Sequence, residues 1–156
     1  MRLIKQPSRW SCLAASWAMV LDVNIDNLFE EIGHDGSEIL YPGVKEPDCR
    51  RSFHPSEFLL PALTRNLGIV QVELNPCWET PYGETDSVNH DEGNHRFLKN
   101  WMEQFDGVIT GKTPMGLWHA VAWNKIKILD PANCYREEGY MDVHTFWAAV
   151  PIKERS

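Results

Sequence analysis

The residue with the clearest chemical potential in this sequence is Cys12, which stands at the predicted start of a helix. It follows Ser11, a residue type that favours the helix N-cap, and the run from Cys12 to Leu21 contains no Gly or Pro. At a helix N-terminus, unpaired backbone N–H groups and the positive end of the helix dipole favour a thiolate over a thiol. The sequence therefore predicts that Cys12 is a nucleophile.

Gln6 lies six residues before Cys12, in a segment that Pro7 separates from the helix. Its side-chain amide, folded back beside the backbone N–H of Cys12, would supply the second donor of an oxyanion hole. Taken alone, Cys12 is better explained as a buried free cysteine at a helix start, and Gln6 as an ordinary surface glutamine. The pair acquires a catalytic meaning only if the chain also supplies a base.

A candidate base and its partner come from two predicted strands near the C-terminus. With a two-residue turn at Asn124-Lys125, Trp123 faces Ile126 and an antiparallel hairpin places His119 directly opposite Asp130. Side chains opposite each other on one face have Cβ atoms about 4.5–5.5 Å apart, so the imidazole would reach the carboxylate. The same face would carry apolar side chains at positions 117, 121, 123, 126 and 128. Nucleophile, base and orienting carboxylate are the parts needed for acyl transfer through a thioester.

The elements that must position these residues come in a helix-first order. Helices are predicted over residues 12–21, 25–32, 55–66 and 95–105. Strands are predicted over residues 69–74, 107–112, 117–123, 126–130, 139–143 and 150–153, with a helical turn at 145–149. The leucines at positions 59, 60, 63 and 67 would form the apolar stripe of the third helix. Helices followed by strands indicate the α+β class.

Two stretches are predicted to be irregular. Residues 33–53 show no clear hydrophobic period, and residues 75–94 are acidic and rich in turn-forming residues. A structureless loop of about 20 residues is uncommon in a compact domain unless it binds something or is a solvated insert. Both interpretations of residues 75–94 stay open.

Composition limits the partners of the chain. Its 156 residues are 43% hydrophobic, which suffices for one core, so we expect a single domain over residues 1–156. A net charge of −7 argues against a nucleic-acid backbone or an anionic membrane as the main partner. There is no signal-peptide pattern and no run of 18 apolar residues, so we expect a soluble, cytoplasmic protein.

The four cysteines, Cys12, Cys49, Cys77 and Cys134, are widely spaced and show no Cys-x-x-Cys or zinc-type pattern. In the cytoplasm they should be reduced, which leaves Cys12 free to react. We therefore expect no metal and no cofactor.

In order and spacing, these motifs resemble those of the papain-like cysteine peptidases. The motifs are Gln6-x5-Cys12 before a helix of small residues, Leu117-Trp118-His119-Ala120-Val121, and Leu129-Asp130-Pro131-Ala132. The likeness is greatest to the branch that processes double-glycine leader peptides of bacteriocins, with its stand-alone bacterial and phage relatives. The resemblance implies a helical lobe (about residues 1–105) and a sheet lobe (about 106–156) with the cleft between them. It also implies Cys12 as nucleophile, His119 as base, Asp130 as the orienting group and Gln6 in the oxyanion hole.

The function predicted from the sequence is that of a cytoplasmic thiol peptidase or isopeptidase that acts on a polypeptide, in a bacterial cell or in the host of a phage. The same triad would serve a cell-wall amidase, a deamidase or a transglutaminase-like acyltransferase, because only the acceptor and the pocket change. A papain-like fold that only binds a partner is the non-enzymatic alternative.

Overall fold

Helices lie on both faces of one antiparallel sheet in the computed structural model, which describes residues 1–73, 87–137 and 140–153, and only the backbone of 87–95. The helices within these ranges are α1 (Cys12–Leu21), α2 (Ile25–Ile32), α3 (Leu59–Leu63) and α4 (Ser87–Gln104), with a 3₁₀ turn at Pro55–Phe58 before α3. The strands are β1 (Leu67–Glu73), β2 (Gly107–Lys112), β3 (Trp118–Trp123), β4 (Ile128–Asp130), β5 (Cys134–Arg136) and β6 (Asp142–Pro151). They pair in the order β1-β6-β2-β3-β4-β5, every pair antiparallel. The predicted α+β class is confirmed.

Helix α1 is the central buried helix, and it begins at Cys12 as predicted. Its small residues Ala14 and Ala18 are fully buried and pack in one cluster with Val108 of β2 and Ala120 of β3. Small side chains let a helix backbone approach a sheet closely, which makes the contact dense and rigid. The first residue of α1 is therefore held firmly against the strands that follow.

Helix α4 covers the other face of the sheet. Leu98 and Met102 pack in a second cluster with Val121 and Trp123 of β3, and the indole N–H of Trp123 donates to the carbonyl of Met102 at 2.7 Å. Alternate residues of β3 therefore enter opposite cores, as the period of a strand requires. None of the described helices has the length and apolar character needed to cross a membrane.

The third predicted helix differs from expectation in length and in its buried face. Phe58 and Ala62 enter the core, whereas the predicted stripe at positions 59, 60 and 63 is exposed and residue 67 belongs to β1. The segment starts as a tighter 3₁₀ turn, which has about 3.0 residues per turn, and only then becomes α-helical. The predicted buried face, which assumed a continuous α-helix of 3.6 residues per turn through Pro61, is therefore wrong.

Helix α4 begins at Ser87, eight residues before the predicted start at His95. The prediction of irregular structure is therefore wrong for residues 87–94. Residues 75–86 of that stretch, and residue 74 of the predicted strand 69–74, lie outside the described residues. Helix extension adds one hydrogen bond for each residue fixed once a nucleus exists. The docked turns around Leu98 and Met102 provide such a nucleus, so a polar sequence without its own apolar period can continue the helix.

The C-terminal segment forms one long strand, β6, in place of the predicted edge strand at 139–143, helical turn at 145–149 and closing strand at 150–153. Strand β6 lies between β1 and β2, so both of its edges are hydrogen-bonded. That interior position holds residues 145–149 in an extended conformation and overrides the local helical preference of Ala148-Ala149. Strand β5, which no sequence pattern indicated, pairs with β4.

Candidate active site

Cys12 is the first residue of α1, and its side chain is half-buried. Ser11 does not cap the helix with its side chain. Instead, its hydroxyl donates to the Ser8 carbonyl and accepts from the Ser8 backbone N–H, both at 3.0 Å, and so braces the turn that precedes α1. The N–H groups of the first turn receive no cap from Ser11, and such groups are the ones that stabilise negative charge at a helix start.

The hairpin that carries His119 and Asp130 has a register different from the predicted one. Trp123 pairs with Ile128 and Ala122 with Leu129, so the predicted pairing of Trp123 with Ile126 is wrong. The turn is longer because the side-chain oxygen of Asn124 accepts the backbone N–H groups of Ile126 and Lys127, at 3.0 and 2.9 Å. His119 is therefore not directly opposite Asp130.

The register differs from the predicted one by two residues, and a two-residue shift leaves every side chain on its original face. His119 and Asp130 consequently stay on one face, as diagonal neighbours. Val121, Trp123 and Ile128 enter the core of that face as predicted. Leu117 and Ile126 do not, because the strands end before them and both side chains are exposed.

The imidazole of His119 and the carboxylate of Asp130 form a direct contact, with Nε2 and Oδ1 2.7 Å apart. The Asp130 side chain is 3% exposed, and its Oδ1 also accepts the backbone N–H of Ala132 at 2.9 Å. Burial alone would raise the pKa of Asp130, but the hydrogen bonds from His119 and Ala132 and the nearby positive charges hold it below its ordinary value. Asp130 is therefore a buried carboxylate that orients the ring of His119.

Cys12 is the second neighbour of the His119 ring. Burial would lower the pKa of His119, but the hydrogen bond with Asp130 and the proximity of Cys12 and of the Asp130 charge raise it to about 9. Because Nε2 is bound to Asp130, Nδ1 is the nitrogen that remains for the sulfur. The structure thus brings together three of the four residues that the sequence singled out, each from a different element.

The raised pKa of His119 gives an expected pH profile. A group with a pKa of about 9 keeps its proton below that pH and loses it above, and a protonated His119 is needed to protonate a leaving amine. We expect kcat/KM to fall as pH rises through about 9, which a pH–rate profile with a neutral substrate will test. A fall already near pH 6.5, the ordinary value for histidine, would show that Asp130 and Cys12 do not hold the proton.

Gln6 lies beside the segment that follows Asp130. Its backbone N–H donates to the carbonyl of Pro131 at 2.7 Å, and its side-chain Nε2 donates to the carbonyl of Ser8 at 2.9 Å. The side-chain Oε1 is buried without a hydrogen-bond partner among the described residues. One N–H of the amide is thus used to anchor the side chain, and the second is the one that an oxyanion would accept.

Gln6→Ala is expected to lower kcat by roughly 10²–10³-fold with little change in KM, the usual effect of removing one oxyanion donor. Gln71→Ala is a matched control, because Gln71 is an exposed glutamine on β1 that donates to Glu73. Steady-state kinetics of both variants provide the test. An unchanged kcat in Gln6→Ala would place Gln6 outside the reaction.

An exposed apolar rim lies next to His119. Trp118 is 62% exposed, and Met115 and Leu117 in the preceding turn are exposed as well. The Trp118 ring packs edge-on against His144, with ring centroids 5.3 Å apart, and the Nζ of Lys112 lies 5.5 Å from its centroid. These contacts hold the Trp118 ring at the exposed first residue of β3, next to His119 in the chain.

Sequence reasoning missed one charged residue of this site, Arg136, whose Nε lies 3.7 Å from Asp130 Oδ2. Strand β5 contains three residues, too few to show a period. No cluster of three or more His, Cys, Asp or Glu side chains arranged to hold a metal ion occurs among the described residues.

Comparison with protein-family models gives no match for this chain, and comparison with curated proteins gives none either. The functional interpretation therefore depends on the side chains of the site and on their geometry.

Proposed function

We propose that this protein is a papain-like thiol peptidase or isopeptidase that acts on a polypeptide through Cys12, His119 and Asp130. The observation that carries the proposal is the position of His119 between two groups: its Nε2 contacts Asp130 at 2.7 Å, and Cys12 lies near enough to raise the pKa of its ring. A nucleophile beside a base, with the base oriented by a third group, is the arrangement that acyl transfer requires.

The reaction begins with Cys12 as thiolate and His119 as imidazolium. The sulfur attacks the carbonyl carbon of the scissile bond, and the developing oxyanion is stabilised by the backbone N–H of Cys12 and the side-chain amide of Gln6. His119 transfers its Nδ1 proton to the leaving amine, which departs and leaves a thioester on Cys12. Water then attacks the thioester, His119 takes up the proton of that water, and the acid product leaves. Asp130 stays ionised and fixes the ring throughout.

The arrangement of the fold supports the papain-like interpretation. The nucleophile stands at the N-terminus of a buried helix, and the base and the orienting carboxylate come from neighbouring strands of the sheet on which that helix packs. The backbone N–H of Gln6 donates to the carbonyl of Pro131, the residue after Asp130, and this hydrogen bond places Gln6 next to the strand that carries the carboxylate. The chain order Gln, Cys, His, Asp agrees with the motif order on which the resemblance rests.

Two observations support a polypeptide substrate in a reducing compartment. The exposed apolar rim at Trp118 suits an extended chain with apolar side chains better than a small polar molecule. Cys12, Cys49 and Cys134 are all free thiols, as expected for the cytoplasm. We therefore propose an intracellular protein as the substrate.

The test is a comparison of one bacterial extract treated with wild-type protein or with Cys12→Ala, read by mass spectrometry of protein termini. New N-termini that depend on Cys12 would support a peptidase, and loss of branched lysine linkages an isopeptidase. Hydrolysis of purified peptidoglycan stem peptides with no change in any protein would instead establish the amidase alternative. Labelling of Cys12 without turnover of either material would favour the binding-only alternative.

A further inference from the structure

Asp130 has a charged neighbour that the triad does not use, Arg136 on β5. Strand β5 pairs with β4 so that Cys134 is directly opposite Asp130. Arg136 is two residues further along and therefore a diagonal neighbour on the same face, within reach of a long side chain. Its Nε lies 3.7 Å from Oδ2 of Asp130.

The two oxygens of Asp130 have different neighbours. Oδ1 accepts from His119 at 2.7 Å and from the Ala132 N–H at 2.9 Å, whereas Oδ2 faces Arg136. The Nε of Arg136 is buried and has no hydrogen-bond partner among the described residues. A separation of 3.7 Å is an ion-pair distance and too long for a direct hydrogen bond, so the interaction between Arg136 and Asp130 is mainly one of charge.

The guanidinium is held in place from its other side. Its central carbon lies 4.2 Å from the centre of the Tyr140 ring, which is the geometry of a cation–π contact. The Arg136 side chain is 39% exposed, so its charge is partly screened by water. Arg136 is thus a fixed and moderately strong positive charge behind the carboxylate.

We propose that Arg136 is a positioning residue whose charge partly neutralises the Asp130 carboxylate, so that Asp130 retains the proton on His119 less strongly than it would alone. This inference rests on the proposed function, because it assigns Arg136 a role only through His119. Apart from their contact with each other, Cys12 of α1 is the titratable group that raises the pKa of His119, and Arg136 of β5 is the cation that lowers the pKa of Asp130.

The direction of the effect follows from Coulomb's law. A positive charge stabilises the ionised form of Asp130 and opposes the protonated form of His119. If no cation lay beside it, a buried carboxylate 2.7 Å from the imidazolium would hold the His119 proton strongly and slow its transfer to the leaving amine. The positive charge of Arg136 beside Oδ2 weakens the hold of Asp130 on the His119 proton and leaves the orientation of the His119 ring unchanged.

The test is an NMR titration of the His119 ring in the full chain, with Arg136→Gln, Arg136→Lys and wild type compared. Arg136→Gln removes the charge, so the His119 pKa should rise by roughly half a unit or more, and the alkaline limb of any activity should move to higher pH. Arg136→Lys keeps the charge and should remain near wild type. A residue that only supported the fold would do the opposite, because a loosened Asp130 would lower the His119 pKa.

Lys127→Gln is the matched control. Lys127 adjoins β4, and its Nζ lies 4.2 Å from the ring of Tyr135, so this variant also removes a cation–π contact and one positive charge. Tyr135 is directly opposite Leu129, and it therefore lies on the face away from Asp130. The His119 pKa should not move in Lys127→Gln.

An unchanged or lowered His119 pKa in Arg136→Gln, or an equal rise in Lys127→Gln, would overturn the inference. If Arg136→Gln does not fold, Arg136→Met replaces it, with the same outcomes, since its apolar chain can still pack on Tyr140. The titration needs no substrate, so it decides the role of Arg136 even if no turnover is found. A failure of the proposed peptidase function would be detected separately, by the turnover assays.

Discussion

Cys12→Ala is expected to reduce turnover by roughly 10⁵–10⁶-fold, the scale on which removing the nucleophile of a triad acts. The thioester cannot form without the sulfur, and neither His119 nor the oxyanion donors can replace it. Because the substitution removes only a sulfur atom from a half-buried position at the start of α1, the fold should persist. Turnover measured alongside the thermal unfolding midpoint will separate loss of chemistry from loss of structure.

Cys134→Ala is the control for that experiment. Cys134 is another half-buried free thiol, and it lies directly opposite Asp130 in the β4–β5 pair. It has no role in the proposed reaction, so its removal should leave kcat within a few-fold of wild type. Full activity in Cys12→Ala, or a comparable loss in Cys134→Ala, would refute Cys12 as the nucleophile.

Asp130→Asn is expected to lower kcat by up to roughly 10⁴-fold, a smaller loss than that in Cys12→Ala. Asparagine preserves the shape of the side chain but removes the negative charge that faces Nε2 of His119 at 2.7 Å. The His119 pKa should then fall from about 9, so the alkaline limb should move to lower pH. Kinetics from about pH 5 to 10 will show both effects.

Asp142→Asn provides the comparison, because Asp142 is an exposed carboxylate at the first residue of β6. This variant should keep the wild-type profile. Wild-type kcat and an unmoved alkaline limb in Asp130→Asn would mean that Asp130 does not orient His119, and that the third member of the site lies elsewhere.

The positions of Cys12, His119 and Asp130 can be predicted from the sequence because they depend only on where one helix starts and on the two-residue alternation of side chains along strands. Placement of Cys12 requires only the start of one helix, which the residues after Ser11 indicate correctly. Placement of His119 beside Asp130 requires only that both share a face of a hairpin. The predicted register of β3 and β4 differs from the observed one by two residues. Because a shift by an even number of residues leaves each side chain on the same face of the sheet, His119 and Asp130 are still in contact.

Long-range pairing explains most of what the sequence could not predict. Residues 145–149 adopt a strand because β1 and β2 flank them, and neither neighbour is adjacent in sequence. The contact of Arg136 with Asp130 depends on a three-residue strand that exists only through its pairing with β4. Local patterns carry no information about such neighbours, so the charge behind Asp130 is visible only in the structure.

The buried face of α3 differs from the predicted one for a local reason that the hydrophobic period of the sequence does not show. A 3₁₀ turn before Leu59 rotates the following residues relative to an unbroken helix. Phe58 and Ala62 therefore enter the core in place of the leucines. The site is unaffected, because α1 alone positions Cys12.

The pairing of Cys12 with His119 is tested most directly by the rate at which iodoacetamide alkylates each cysteine in the native protein near pH 6. Ordinary thiols, with a pKa of about 8.5, are almost entirely protonated there and react slowly. We predict that Cys12 is alkylated well before Cys49, Cys77 and Cys134, and that the His119→Ala substitution lowers the alkylation rate of Cys12 to that of the other cysteines. If Cys12 reacts no faster than Cys134 in the wild type, or keeps its rate in His119→Ala, then Cys12 and His119 do not form a reactive pair.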